Sequence, residues 1–95
     1  MRVYISGQVT GTKDYKKRFS KAEKMLNKMG YSVVNPVKVG RALPKLKWHE
    51  YMKVDLSALE ICEAIYMVKG WENSKGARLE REYAIEKGMS IIYDY

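Results

Sequence analysis

Ala64-Ile65-Tyr66-Met67-Val68 is an unbroken apolar run. A strand with one wet face alternates apolar and polar residues. A strand covered on both faces does not, and inner strands of parallel sheets have that character. Working outward from this run gives the rest of the fold. Downstream, Lys69 to Lys75 is a turn, Gly76 to Lys87 is a helix closed by Gly88, and Ser90-Ile91-Ile92-Tyr93 is a strand. Upstream, Trp48, Met52, Leu56 and Leu59 share one stripe of a helix over Trp48 to Ile61. Residues 36–47, which include Gly40 and Pro44, read as a loop. Tyr31-Ser32-Val33-Val34 is a short strand stopped by Asn35-Pro36. Between Asp14 and Met29 the residues Tyr15, Phe19, Ala22, Leu26 and Met29 step by four, three, four and three, which is helical spacing. Gly30 stands where a helix C-cap belongs. Arg2 to Ser6 is the first strand and runs into Gly7.

Strands and helices therefore alternate as β-α-β-α-β-α-β. This predicts an α/β fold in three layers: a four-stranded parallel sheet with helices on both faces, Rossmann- or flavodoxin-like. The expected sheet order is 2-1-3-4, over one domain that takes in the whole chain. That order reverses between the first and third strands, and ligands of such sheets bind there, beyond the carboxyl ends of the strands. Two loops should line the site, Gly7 to Gly11 and Lys69 to Gly76.

Composition bounds the function. At 95 residues there is material for one core. An apolar content of 46% excludes a disordered chain, and no apolar run approaches the ~18–20 residues that span a bilayer. Cys62 is the one cysteine, which excludes an internal disulfide and a cysteine-based zinc site. His49, the one histidine, has no second histidine or cysteine at metal-ligand spacing. No metal or other cofactor is expected. MRVYISG has no apolar leader core, so the expected location is cytoplasmic. A net charge of +7 favours a polyanion or a phosphorylated small molecule as partner.

Several residues are candidates for chemistry. Gly7-Gln8-Val9-Thr10-Gly11 joins a strand to a helix at the predicted switch point, where backbone N–H groups can hold an anion. It fits neither G-x-G-x-x-G nor the Walker A loop, and an ordinary turn would use the same glycines. Glu80 falls beside Ala77, Ala84 and Gly88, on the small, sheet-facing side of its helix. Burial there requires a partner. Either it pairs with Arg78, Arg81 or a lysine, or it is a functional carboxylate. Asp55 lies near Met52, Leu59 and Cys62 at helical spacing, as a boundary acid or a site acid. Ser74 can cap the last helix or aim its hydroxyl at a ligand. Trp48, Tyr51 and Trp71 read as packing residues, with Trp71 also able to stack on a base. The basic stretch Lys38 to Lys47 is a solvated loop or an attractor of phosphate at the mouth of the site.

Taken together, V-Y-I-S-G-Q-V-T-G, D-L-S-A-L-E-I-C-E-A-I-Y-M-V and S-K-G-A-R-L-E resemble, in order and spacing, the nucleoside 2-deoxyribosyltransferase-like superfamily. That superfamily includes the 2'-deoxynucleoside 5'-phosphate N-hydrolases. The likeness is greatest to its short relatives from phages and prophages, and it covers almost the whole chain. It implies an N-glycoside hydrolase or deoxyribosyltransferase acting on a (deoxy)nucleoside or nucleotide. The S-x-G-x-x-x-E match at Ser74, Gly76 and Glu80 makes Glu80 the nucleophile. Tyr4 would donate a hydrogen bond to it, and Asp55 would bind sugar or base, or protonate the leaving base. Gly7, Gln8, Thr10, Gly11, Ser74 and Gly76 would hold sugar and phosphate. Gln8 and Thr10 stand where the hydrolases often carry Ser and Arg, so a 5'-phosphate would draw on Lys or Arg residues elsewhere. The resemblance also implies a homodimer or larger homo-oligomer, with Tyr93-Asp94-Tyr95 reaching a neighbour's site. Two other readings compete. One is a nucleotide-binding protein without catalysis. The other is a small basic nucleic-acid-binding domain, less favoured because no RRM, helix-turn-helix or zinc pattern is present.

Overall fold

The computed structural model describes residues 1–94. Its elements are β1 (Arg2–Ser6), α1 (Tyr15–Lys28), β2 (Ser32–Val34), α2 (Pro36–Arg41), α3 (Trp48–Glu60), β3 (Ala64–Met67), α4 (Lys75–Glu86) and β4 (Ser90–Tyr93), with a 3-10 turn at Trp71–Asn73. The four strands are parallel in the order β2-β1-β3-β4. This is the predicted α/β architecture and sheet order.

Alternation along the two inner strands sorts the core. Val3 and Ile5 of β1, with Ala64 and Tyr66 of β3, face α1 and pack on Phe19, Ala22 and Leu26. Tyr4 of β1, with Ile65 and Met67 of β3, faces the other way, toward Leu59 of α3 and Ala77 and Ala84 of α4. The register Val3↔Ala64 through Ser6↔Met67 keeps like-facing residues side by side. Both faces are thus covered, which is why β3 has no polar alternation. Gly30 sits at φ +91°, and the Tyr31 N–H donates to Leu26 O at 3.1 Å. This left-handed stop turns the chain from α1 into β2.

The predicted loop at 36–47 needs correction. Its first half is helical. Asn35 caps it by accepting from the Val37 N–H at 3.0 Å, and Pro36 occupies the first turn. Proline's missing N–H and fixed φ suit that position, so Asn35-Pro36 starts a helix as well as ending a strand. Glu23 of α1 then accepts from Asn35 Nδ2 at 3.0 Å and from Lys38 Nζ at 2.7 Å, tying α2 to the α1 layer.

Gly7 is required for close approach rather than for a special φ. A Cβ there would lie 2.9 Å from Val68 Cβ and 3.2 Å from the Phe19 ring. Gly7→Ala is therefore expected to destabilise the fold by roughly 1–3 kcal/mol, through overpacking between β1, β3 and α1. A lowered midpoint in urea, with unchanged slope, would register it.

Candidate active site

A cleft of about 490 Å³ opens beyond the carboxyl ends of β1 and β2, within the range that holds small ligands. The segment after β1, the start of α1, helix α2, and the first two turns of α3 and α4 form its walls, and of the predicted loop Lys69 to Gly76 only Ser74 and Gly76 line it. Glu80 lines it from the second turn of α4 and is only 5% exposed. The alternatives for its partner are decided by geometry. Arg81 Nε donates to Tyr93 Oη at 2.8 Å, and Arg78 Nη1 reaches the carbonyl of Glu72. Glu80 instead faces β1, where Tyr4 Oη donates to Oε2 at 2.7 Å and Ser6 Oγ donates to Oε1 at 2.7 Å. Tyr4 and Ser6 are two apart on one strand, so their side chains emerge on the same face.

Burial pushes the Glu80 carboxyl up to about 7. The Ser6 and Tyr4 hydrogen bonds pull against that rise, and the nearby charge of Asp55 adds to it. Burial, with the charge on Glu80, raises the Tyr4 hydroxyl well above its ordinary range, so it stays a donor. Asp55 is half-buried on α3, lines the same cleft, and is raised to about 6 by burial. It has no hydrogen bond or ion pair to the described residues. Two carboxyls of different environment therefore share one cleft.

Ser74 is the N-cap of α4: its Oγ accepts from the Ala77 N–H at 3.1 Å, and the residue lines the cleft. Gly76 lines it too. A Cβ there would meet Met52 Sδ at 3.2 Å, so glycine lets α3 and α4 close up beneath the site.

One family profile matches residues 1–93, that of a domain of unknown function, DUF4406. The chain belongs to the DUF4406 family. No curated protein matches the sequence.

In this DUF4406 domain the cleft gathers Tyr4, Gly7, Thr10, Asp55, Ser74, Gly76 and Glu80 of the residues singled out from sequence. Gln8 and Gly11 are not brought in. Gln8 Nε2 donates to Thr10 O at 3.1 Å, and Gly11 holds the turn at φ +84°. Their spacing answers to the strand–helix turn. Trp71 is also outside the cleft. It packs at 6.1 Å from the Tyr93 ring, with the Arg81 guanidinium 5.1 Å above it. Trp48, which reads as a packing residue, is 48% exposed at the rim. Tyr93 and Asp94 are tied to their own chain: Arg81 holds the Tyr93 hydroxyl, and the Asp94 N–H donates to Met67 O at 3.0 Å. Tyr95, the last residue of the expected C-terminal reach, lies outside the described residues.

Sequence reasoning missed Ser6, Tyr15 and Lys16. Ser6 was legible in principle, because Y-I-S places a second hydroxyl on the face of Tyr4. Of the basic stretch Lys38 to Lys47, Arg41 lines the cleft, from the end of a helix rather than from a loop. Among the described residues no group of three His, Cys, Asp or Glu is placed to hold a metal ion. No helix among them is long and apolar enough to cross a membrane.

Proposed function

We infer that this domain cleaves the N-glycosidic bond of a (deoxy)nucleoside or its 5'-monophosphate, with Glu80 as nucleophile. The observation that carries the reading is a buried carboxylate lining a cleft, with a hydroxyl donor on each oxygen and no ion pair to the described residues. Such burial is costly to the fold, and carboxyls raised in this way cluster at functional sites. Glycosidases that proceed through a covalent intermediate use a carboxylate in this way. The meeting of Tyr4, Asp55, Ser74, Gly76 and Glu80 in one cleft supports the same reading through the resemblance to the nucleoside 2-deoxyribosyltransferase-like superfamily.

The reaction would run in two steps. A Glu80 oxygen attacks C1' while the C1'–N bond breaks. The electron pair goes to the base nitrogen, which takes a proton from Asp55. Water then attacks C1' of the resulting ester, gives a proton back to Asp55, and returns Glu80 as carboxylate. A second base in place of water makes the reaction a transfer. Asp55 suits the acid role because burial keeps it protonated at higher pH than an exposed aspartate.

The rest of the cleft supports a nucleotide. Tyr15, Tyr51 and Trp48 supply aromatic faces for base and sugar, and Lys16 and Arg41 are cations on the same walls. Arg41→Ala is expected to raise KM for a 5'-monophosphate roughly tenfold, with little change for the nucleoside. Parallel kinetics on the two substrates would check it.

The primary experiment is base release. The protein is incubated with each common deoxynucleoside, deoxynucleoside 5'-monophosphate and ribonucleoside monophosphate, and free base is separated by chromatography. Release by the parent and not by Glu80→Gln is the expected result. Tight nucleotide binding by both proteins with no release from any substrate would leave a binding module instead.

A further inference from the structure

We propose that Ser6 is a positioning residue for Glu80: it fixes the carboxylate oxygen that does not attack, and so leaves the oxygen bonded by Tyr4 as the nucleophile. The proposal rests on the glycosidase reading above. It stands on three observations. Ser6 is 1% exposed at the carboxyl end of β1, and its Oγ lies 2.7 Å from Glu80 Oε1. Its backbone is held by the sheet, paired with Met67 and accepting from the Val68 N–H at 2.8 Å, so the hydroxyl has a fixed origin. And the two donors differ in place: Tyr4 lines the cleft and Ser6 does not. Oε1 is held by the donor outside the cleft lining and Oε2 by the donor within it, and on that ground Oε2 is assigned as the attacking oxygen.

This assignment has chemical content. When Oε2 bonds to C1', the base departs with the C1'–N electron pair and Oε1 becomes the carbonyl oxygen of the ester. When water attacks C1', the C1'–Oε2 pair returns to the carboxylate and charge spreads again onto Oε1. A donor fixed on Oε1 favours the ionised carboxylate over both its protonated and its esterified forms. It should therefore aid breakdown of the glycosyl-enzyme more than its formation. The same bond pulls the Glu80 carboxyl down against burial.

The test compares the parent with Ser6→Ala and Ser6→Cys, the second keeping a weaker donor of similar shape. Folding of each is verified by its urea midpoint. In Ser6→Ala, kcat is expected to fall roughly tenfold to hundredfold, the range for a lost hydrogen bond to a charged group. The alkaline limb of the kcat/KM profile, where the pair loses its second proton, mostly from Glu80, should move to higher pH. Base should appear as a burst equal to the enzyme concentration, with a sugar adduct on Glu80 visible by mass. Ser6→Cys should lie between. An active Ser6→Ala with parental kcat and an unmoved alkaline limb overturns the proposal. So does a fall in activity that follows lost stability alone, with no burst and no shift. If the parent itself releases no base, the glycosidase reading fails on its own. The NMR titration of the Glu80 carboxyl then decides the remaining part: a rise in Ser6→Ala upholds the hold on Glu80, and an unchanged midpoint refutes it.

Discussion

Glu80→Gln is expected to abolish base release and at the same time to make the protein more stable at neutral and alkaline pH. The two effects come from one fact, the placing of a charge where water cannot reach it. Activity should fall by roughly 10³-fold or more, because the amide cannot form the glycosyl ester. Stability should move the other way. Burial raises the Glu80 carboxyl from 4.5 to about 7. The native state therefore binds the proton more tightly than the unfolded chain, and stability falls as pH rises through that window. By pH 8 the penalty is roughly 2–4 kcal/mol, at about 1.4 kcal/mol for each pH unit. Glutamine removes the charge and keeps the shape. Its carbonyl can accept from one hydroxyl, and its amide can donate to the other once that hydroxyl turns. Urea unfolding at pH 5 and pH 8 measures this directly. The parent should lose stability between them and the variant should lose much less. Equal pH dependence in the two proteins would mean that Glu80 is not the buried charge it is taken to be. Gain of stability with loss of activity is the expected mark of a functional group held in an unfavourable place.

The fold was legible because its signals are periodic. β3 has no alternation, α1 steps by four and three, and Gly30 closes α1, each a consequence of which faces are covered. The error lay at Pro36–Arg41, where a helix too short to show a period was visible only in its cap. Glu80 was legible as a misfit, a carboxylate among alanines on a packed face, but not its partners. Helix spacing suggested Arg78 and Arg81, its own neighbours, whereas β1 supplied Tyr4 and Ser6 from far away in sequence. Spacing reports which residues share an element and is silent on what the facing element presents. The same limit explains Gln8 and Gly11, which sit in the right loop and are outside the cleft lining. It explains Lys16 as well, a cation of α1 that lines the same cleft as Arg41 of α2.

The pH profile of kcat/KM is expected to be a bell with limbs near pH 6 and pH 7, and Asp55→Asn is expected to remove its alkaline side. Asp55 is raised to about 6 and Glu80 to about 7, and the charge on Asp55 contributes to the second value. Groups coupled in this way lose their protons in steps that belong to the pair. With both protonated there is no nucleophile. With both ionised there is no acid for the leaving base. Activity therefore peaks where the pair holds one proton, and the productive form carries it on Asp55. A nucleoside is the substrate of choice for the measurement, because a phosphate would itself titrate near 6. In Asp55→Asn the acid is gone, and kcat/KM should fall roughly 10²–10⁴-fold. What activity remains should rise with pH and then stay level, with no alkaline decline. That rise should lie at or above the parent's acidic limb, because the parent pair loses its first proton while the partner carboxyl is neutral, as asparagine is. A surviving alkaline limb would assign the acid to another group. A rise below the parent's acidic limb would mean that the group which must ionise is not Glu80. Asp55→Asn thus leaves a single limb, set by the ionisation of Glu80 alone, while Glu80→Gln leaves no curve at all.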